Sequence, residues 1–257
     1  GFSPFFDEGV IFLSVYLKDP KFLTAGDSCV VVEFADEVHL EGNAAVMRLM
    51  DYLTVQRNIP IIECMPTYRS LAIYFDALAV SSEEVIKEVK AALSVSGDRK
   101  ESGHIEIDIP VCYGGEYGPD IANVAEHAGI SEEEVIKRHS AVVYHCYMIG
   151  FLPGFAYLGG LDETLATPRL ANPRTLIAPG SVGIAGKQTG IYPIASPGGW
   201  QLIGRTPLNL FTPEAERPTL LDAGYGVRFV PISEEEFKKI EAEVAAGKYK
   251  PKTAEVK

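Results

Sequence analysis

GFLPGFAYLGGLDETLATPRLANPRTLIAPGSVGIAGKQTGIYPIASPGGWQLIGR, from Gly150 to Arg205, is the stretch that decides the fold of the C-terminal part of this chain. It holds 11 of the chain's 24 glycines and six prolines, against a background of roughly 7% glycine. Large apolar residues such as Phe155, Tyr192 and Trp200 are interleaved throughout, whereas disordered segments are poor in them. Because glycine supplies positive φ and proline fixes φ, the composition predicts backbone held in ordered turns, where binding sites tend to lie.

The bulk composition is that of an ordinary globular protein. The chain has 257 residues, of which 47% are hydrophobic and 23% charged, and this length suits one large domain or two smaller ones. A net charge of -12 argues against nucleic acid or an anionic membrane as a partner. The apolar run Val10 to Leu17 lacks a basic flank and is too short for a membrane span. We therefore expect a cytoplasmic protein.

The cysteines predict neither disulfides nor a metal site. Cys29, Cys64, Cys112 and Cys146 are each separated by more than thirty residues, and no C-x-x-C pair or Cys/His metal spacing occurs. We expect reduced thiols and no metal centre in this chain.

Residues 21–96 read as one compact α+β domain, preceded by an N-terminal extension over residues 1–20. The pattern predicts a strand at Cys29 to Phe34, a helix at Asn43 to Val55 and strands at Ile59 to Met65 and Leu71 to Phe75. A capping box, Ser81-x-x-Glu84, begins a second helix. This order of strand, helix, strand, strand and helix is that of a small ferredoxin-like sandwich.

A polar segment from Ser94 to Gly103 predicts a linker, and residues 104–247 a second domain. His104 to Val111 alternates as a half-buried strand does, and short strands between turns continue to Pro231. This all-β pattern is typical of an antiparallel barrel or sandwich. The predicted helices begin at Pro119 and at the capping boxes Ser131-x-x-Glu134 and Ser233-x-x-Glu236, and the residues after Gly247 are expected to fray.

Three arginines of the Gly-rich stretch are candidates for binding an anion. Arg169 and Arg174 each follow a proline, and Arg205 ends the stretch. A guanidinium matches a carboxylate or phosphate bidentately, and a preceding proline stiffens the backbone that presents it. The alternative is that each arginine pairs with Asp162, Glu163 or a carbonyl and only holds its loop.

The segment Ser181 to Gly190 is rich in small residues that allow close backbone approach. It is not a Walker A loop, because Gln188 follows Lys187 where that motif needs Ser or Thr. A tight hairpin explains it fully, but Gln188 and Thr189 could orient a polar ligand through an amide and a hydroxyl.

Nucleophilic catalysis has weak support, and the catalytic residues are not identifiable. Cys146 and His145 are adjacent in a predicted strand and therefore point to opposite faces. His139 ends a predicted helix and Asp120 begins one, so the helix dipole accounts for both. The pattern suits one component of a larger enzyme, or a binding module, better than a stand-alone hydrolase.

The sequence closely resembles the allophanate hydrolase subunit 1 family, whose members include the B subunit of 5-oxoprolinase and KipI-type kinase inhibitors. The most specific matching stretches are GFLPGFAYLGGL, TPRLANPRT, APGSVGIAGKQTGIYP and SPGGWQLIGRTPL. One departure is the segment Tyr144 to Tyr147, in which a cation that the family pattern leads us to expect is missing.

The resemblance implies a ferredoxin-like domain followed by a cyclophilin-like β-barrel. It also implies one component of an ATP-dependent 5-oxoprolinase, with ATP carried as its Mg complex. That enzyme opens 5-oxo-L-proline to L-glutamate, and the chain would act in it together with a homologous C subunit and with the A subunit, being inactive alone. In such an enzyme Arg169, Arg174 and Arg205 would hold anions, and Gln188 and Thr189 would orient the ring amide. Inhibition of a sporulation histidine kinase and allophanate hydrolysis in urea breakdown are the alternatives.

Overall fold

The structure is a computed structural model that describes residues 20–55, 59–95 and 103–256. The chain divides into two compact units, the first ending at Glu101 and the second beginning at Ser102. The predicted extension falls almost wholly on residues 1–19, and the middle of the predicted linker falls on residues 96–102. Those two predictions therefore lie outside the described residues.

The first unit is a four-stranded antiparallel sheet with two helices. Its elements in chain order are β1 (Lys21–Thr24), β2 (Cys29–Glu33), α1 (Leu40–Val55), β3 (Ile61–Pro66), β4 (Ser70–Phe75) and α2 (Ser82–Val95). The predicted succession of strand, helix, strand, strand and helix is present, and β1 precedes it. The sheet order is β1-β2-β4-β3, and the turn between β1 and β2 contains Gly26 at a φ of 68°.

Alternation along the strands of the first unit builds its core. Val30 and Val32 of β2 and Leu71 and Ile73 of β4 are fully buried and face the helices, while the residues between them are more exposed. Ser81 caps α2 as its sequence predicts: the Glu84 N–H donates to the Ser81 hydroxyl, and the Ser81 N–H donates to the Glu84 carboxylate.

The second unit is a closed β-barrel with an added sheet and three helices. Its strands in chain order are β5 (His104–Tyr113), β6 (Val143–Ile149), β7 (Ala156–Gly159), β8 (Arg174–Ile177), β9 (Ser181–Ala185), β10 (Gln188–Ile191), β11 (Ser196–Gly198), β12 (Gln201–Arg205), β13 (Gly226–Pro231) and β14 (Thr253–Val256). The sheet order is β12-β9-β10-β7-β6-β13-β5-β14, and β12 also pairs with β5. Seven strands, from β12 round to β5, therefore close on themselves, and β8 and β11 form a separate two-stranded sheet.

The C-terminal residues pair as a strand, which corrects the prediction that they fray. β14 pairs antiparallel with the first half of β5, from Thr253 opposite Ile107 to Val256 opposite His104. The second half of β5 pairs with β12 through Cys112 and Tyr113. The first half of β5 would otherwise present an open strand edge, so pairing with β14 satisfies its backbone.

Three α-helices complete the described part of the second unit, α3 (Ile121–Ala128), α4 (Glu132–Ser140) and α5 (Glu234–Ala245), together with a short 3₁₀ helix at Glu163–Leu165. Ser233 caps α5 with both contacts of the predicted capping box. At α4 the Ser131 hydroxyl accepts from the Glu134 N–H, but the Glu134 carboxylate pairs with Lys137 and Arg138, so only half of the predicted box is present. Gly129 ends α3 in the left-handed conformation. Pro119 lies one residue before the N-cap of α3 rather than inside its first turn. In the part of the chain that the structure describes, no helix combines the length and apolarity needed to cross a membrane.

Candidate functional site

The loop before β8 is fixed against the start of β12, and it carries two of the predicted arginines. The Leu170 N–H donates to the Gly199 carbonyl at 2.7 Å, and the Gln201 side-chain amide donates to the Pro168 carbonyl at 2.9 Å. Arg169 projects from this loop and is exposed, whereas Arg174 at the start of β8 is half-buried. Hydrogen bonds on either side therefore hold the backbone at Arg169, and pairing with Gly198 holds the backbone at Arg174.

Arg174 forms an ion pair with Asp120. Its Nη2 donates to Asp120 Oδ1 at 2.7 Å, and the other carboxylate oxygen accepts from the Leu202 N–H at 2.7 Å. Asp120 is 4% exposed and makes no capping hydrogen bond to α3. The helix-dipole interpretation of Asp120 is therefore incomplete, since its carboxylate holds a guanidinium and the backbone of β12.

The charges of both arginines act on the phenol of Tyr192. Burial raises the pKa of its phenol, and the Arg169 charge, a hydrogen bond with the Trp200 backbone and the Arg174 charge act in the opposite direction. Both guanidiniums are thus within electrostatic reach of one buried hydroxyl. Of the five predicted site residues, Arg169 and Arg174 are the two whose charges act on this phenol.

An aromatic cluster adjoins Tyr192. The Phe155 ring meets the rings of Tyr192 at 5.7 Å and Trp200 at 5.6 Å between centroids, and Phe151 meets Phe155 at 5.7 Å. Phe151 is 69% exposed and has a φ of 66°, which is unusual for a bulky residue and is found mostly at functional positions. The cluster therefore extends from the buried Tyr192 ring to the surface at Phe151.

Arg205 contacts a different set of residues. Its guanidinium carbon lies 4.7 Å from the centroid of the Tyr117 ring and 5.5 Å from that of Phe237, which is cation–π geometry. Its Nε is buried and has no hydrogen-bond partner among the described residues. Arg205 is therefore held by aromatic contacts and not by Asp162 or Glu163.

Asp162 and Glu163 pair elsewhere in the second unit. Asp162 lies 3.7 Å from the guanidinium of Arg138, and Glu163 lies 2.7 Å from Lys187 Nζ. The alternative that an arginine pairs with a carboxylate and only holds its loop therefore applies to Arg174. Its partner is Asp120, however, and not Asp162 or Glu163.

Thr189 and Gln188 point to opposite sides of β10. Thr189 is fully buried, and its hydroxyl donates to the Gly183 carbonyl at 3.1 Å and contacts His139 Nε2 at 2.9 Å. Gln188 is half-buried and pairs with Ala185 at the turn between β9 and β10. The Thr189 hydroxyl is thus engaged inside the barrel, while Gln188 lies nearer the surface.

His139 belongs to a buried hydrogen-bond chain that sequence reasoning missed. The Tyr113 hydroxyl lies 2.8 Å from His139 Nδ1. Because Thr189 donates to Gly183, it accepts from Nε2–H, and Nδ1 then accepts from the Tyr113 hydroxyl. Burial lowers the pKa of His139 to about 3, so the ring is neutral. The interpretation of His139 as a cation on a helix dipole is wrong.

The structure gives no nucleophile at His145 and Cys146. Cys146 is fully buried, and burial raises the pKa of its thiol to about 12, whereas a reactive cysteine needs a lowered pKa. All four cysteines are free thiols, as predicted. Over the described ranges, no cluster of three His, Cys, Asp or Glu residues could hold a metal ion.

The sequence of this chain matches one protein family and is similar to several curated proteins. Residues 20–221 match the family described as "Carboxyltransferase domain, subdomain C and D". The chain is 44% identical over 222 residues to the B subunit of the Bacillus subtilis (strain 168) 5-oxoprolinase, covering 82% of this chain and 92% of that protein. It is 45% identical over 215 residues to the B subunit of the Escherichia coli O157:H7 5-oxoprolinase, covering 81% of this chain and 94% of that protein.

A more distant curated relative is the urea amidolyase of Saccharomyces cerevisiae (strain ATCC 204508 / S288c), which is 28% identical over an alignment of 260 positions that covers 88% of this chain and 14% of that protein. Among solved structures, TTHA0988 matches with a TM-score of 0.71 at 31% identity, over 80% of this chain. The chain spans only 40% of the length of that structure.

Proposed function

The chain belongs to the carboxyltransferase-domain family, subdomain C and D, and we propose that it is the B subunit of an ATP-dependent 5-oxoprolinase. The observation that carries this proposal is the 44% identity to the corresponding Bacillus subtilis protein along 92% of that protein's length. Identity that runs through both units of the chain favours a shared activity over a shared fold alone.

The chemistry of such an enzyme suggests roles for the candidate residues of the second unit. The substrate of such an enzyme, 5-oxo-L-proline, carries a carboxylate and an unstrained lactam, and ATP supplies the phosphorylation that activates the amide oxygen. Binding these anions calls for fixed cations. We assign Arg169, Arg174 and Arg205 to them and Gln188 to the ring amide. We assign Thr189 to the internal chain with His139, since its hydroxyl is already engaged there.

We propose that the chain works with the homologous C subunit and the A subunit of the enzyme and is inactive alone. The described residues include no cluster that could hold Mg²⁺, and Lys187, the lysine of the Gly-rich segment, pairs with Glu163. Because Mg²⁺ in a nucleotide complex is held largely by the phosphates and one or two carboxylates, we assign the binding of Mg–ATP to the assembled complex, and we propose a cytoplasmic location for that complex.

We also propose the finer fold assignments. The sheet order β1-β2-β4-β3 with two helices supports a ferredoxin-like domain over residues 21–96, with β1 in the edge position beside β2. The seven-stranded closure supports a cyclophilin-like barrel domain from residue 104. Because β14 pairs with β5, that domain extends past residue 247 to Val256.

The two alternative functions have less support. A role in urea breakdown rests on the 28% identity to urea amidolyase, of which the chain covers 14%. The 5-oxoprolinase and urea amidolyase relatives give no support to inhibition of a histidine kinase.

The test is reconstitution. The purified chain is mixed with the A and C subunits, and the release of L-glutamate and ADP from 5-oxo-L-proline and ATP is measured. We expect turnover only in the complete mixture. Absence of turnover with all three proteins folded, or release of ammonia from allophanate instead, would contradict the proposal.

A further inference from the structure

Two buried polar atoms of the β8–β11 sheet have no hydrogen-bond partner among the described residues: Nη1 of Arg174 and Oγ of Ser196. Ser196 is 5% exposed. A buried donor without a partner loses its bonds to water and gains none in return, so such atoms are rare in native proteins and call for a partner such as ordered water, an ion or a ligand. Their occurrence on two neighbouring strands is therefore informative.

An irregularity in the pairing places both residues on one face of the sheet. Ser196 pairs with Ile177 and Gly198 pairs with Arg174, so β8 has one more residue than β11 between these pairs. Residues two apart on β11 share a face, and directly paired residues share a face. Arg174 and Ser196 therefore face the same side, while Leu176 in the bulged segment is exposed on the other.

The Tyr192 hydroxyl lies on this same side. A Cβ built on Gly198 would come 2.4 Å from Tyr192 Oη and 2.7 Å from Ile177 Cδ1, which is closer than real Cβ atoms approach. Glycine at residue 198 thus lets the phenol lie against β11. The face carries a guanidinium N–H, a serine hydroxyl and a tyrosine hydroxyl, all of them hydrogen-bond donors.

Asp120 determines which nitrogen of Arg174 remains available. Its carboxylate takes Nη2 of Arg174 with one oxygen and the Leu202 N–H with the other. The guanidinium is planar and rigid, so fixing Nη2 also fixes the direction of Nη1. Because both oxygens of Asp120 are used, it orients the arginine without occupying Nη1.

We propose that the face formed by Arg174, Ser196 and Tyr192 is a subsite for the carboxylate of a small organic acid, and that Asp120 is its positioning residue. This inference rests on the proposed function, under which the acid is 5-oxo-L-proline. Nη1 of Arg174 and the Ser196 hydroxyl donate to the carboxylate oxygens, and the Tyr192 hydroxyl donates beside them. The subsite gives these residues a role in selecting acids over neutral lactams.

The experiment compares 5-oxo-L-proline with 5-oxo-L-prolinamide, which keeps the ring and lacks the negative charge. Binding to the full chain is followed by calorimetry and by the fluorescence of Trp200, the single tryptophan, and KM is measured in the reconstituted complex. Arg174→Gln should weaken binding of the acid by about 10- to 100-fold and Ser196→Ala by about 3- to 10-fold. Neither should change binding of the amide by more than about 2-fold.

Asp120→Asn keeps an acceptor for the Leu202 N–H but loses the charge that holds Arg174. It should lower the ratio of acid to amide affinity and raise KM with little change in kcat, because carboxylate binding is the same in ground and transition states. General damage to the fold would weaken both ligands equally. Matched controls are Arg228→Gln, which removes the Arg228–Glu106 pair, and Ser140→Ala, which removes a bond to the Ile136 carbonyl; both should leave the ratio unchanged.

The outcomes separate the two proposals. Normal turnover by the complex with an unchanged acid-to-amide ratio in Arg174→Gln and Ser196→Ala overturns the subsite and leaves the proposed function intact. Failure of the wild-type complex to turn over 5-oxo-L-proline overturns the proposed function. In that case acetate is titrated into the chain alone, and the subsite is sustained only if both substitutions weaken acetate binding.

Discussion

Lowering the pH from about 7.5 to about 5.0 should destabilise the barrel unit through His139. Burial lowers the pKa of this residue from 6.5 to about 3 in the folded protein. In the unfolded chain the side chain has its ordinary pKa near 6.5. Between these two values the unfolded state binds a proton that the folded state does not, so stability falls as the pH falls.

The magnitude follows from linkage. Each pH unit within this window is worth about 1.4 kcal/mol for one proton. From about pH 7.5, where both states are nearly unprotonated, to about pH 5.0, the contribution of His139 falls by about 2 kcal/mol. The hydrogen-bond chain through Tyr113 and Thr189 is built on the neutral ring, and a protonated Nδ1 would lose its role as acceptor from the Tyr113 hydroxyl.

The assay is urea unfolding monitored by tryptophan fluorescence at both pH values. Trp200 is the single tryptophan and is buried in the second unit, so its emission reports on the barrel. His139→Gln, which keeps a donor and an acceptor but does not titrate, should reduce the loss between the two pH values by about 2 kcal/mol relative to wild type. The exposed His127, changed to Gln, is the control. If wild type and His139→Gln lose the same free energy of unfolding between the two pH values, the reasoning is refuted.

Three further predictions concern stability and reactivity. Ser196→Ala removes an unpartnered buried hydroxyl, so urea unfolding should show an unchanged free energy of unfolding or a gain of up to about 1 kcal/mol. A decrease in the free energy of unfolding would mean that the hydroxyl has a partner in the folded chain. Gly198→Ala should cost about 1–3 kcal/mol, because its Cβ would lie 2.4 Å from Tyr192 Oη. Tyr192→Phe should restore part of that loss in a double-mutant cycle, and full additivity would argue against the clash. Iodoacetamide should leave Cys146 unmodified in the folded protein, since the residue is fully buried and its thiol pKa is about 12; peptide mapping that finds labelling without unfolding would contradict this.

Much of the local structure could be predicted from the sequence because its determinants are local. The capping serines 81, 131 and 233 each begin a helix within a residue of the expected position, since a cap needs only its own first turn. The alternation in His104 to Val111 predicted β5 for the same reason. β14 was missed because its four residues become a strand only through the edge of β5.

The site was harder to predict because its contacts are distant in sequence. Arg174 was identified from its residue type and the proline before it. Its partner Asp120 lies in another loop, and nothing near residue 120 indicates the pairing. His139 shows the same limit: its place at a helix end suggested a charge, whereas its environment, with Tyr113 and Thr189, keeps it neutral. Burial by residues far along the chain outweighs the local dipole.

The three pairings of β5 have a consequence for the order in which the chain can fold as it is synthesised. β5 is the first strand of the barrel, yet its partners β12, β13 and β14 are made last, with Ile107 opposite both Val227 and Thr253. Pairings so far apart in sequence close slowly, because a long loop must be ordered first. The sheet of the first unit joins only residues 21–75, so it can form while the barrel is still being translated. The barrel cannot close until the chain has left the ribosome as far as β13, and until then β5 is an unpaired, largely apolar strand that chaperones would need to shield.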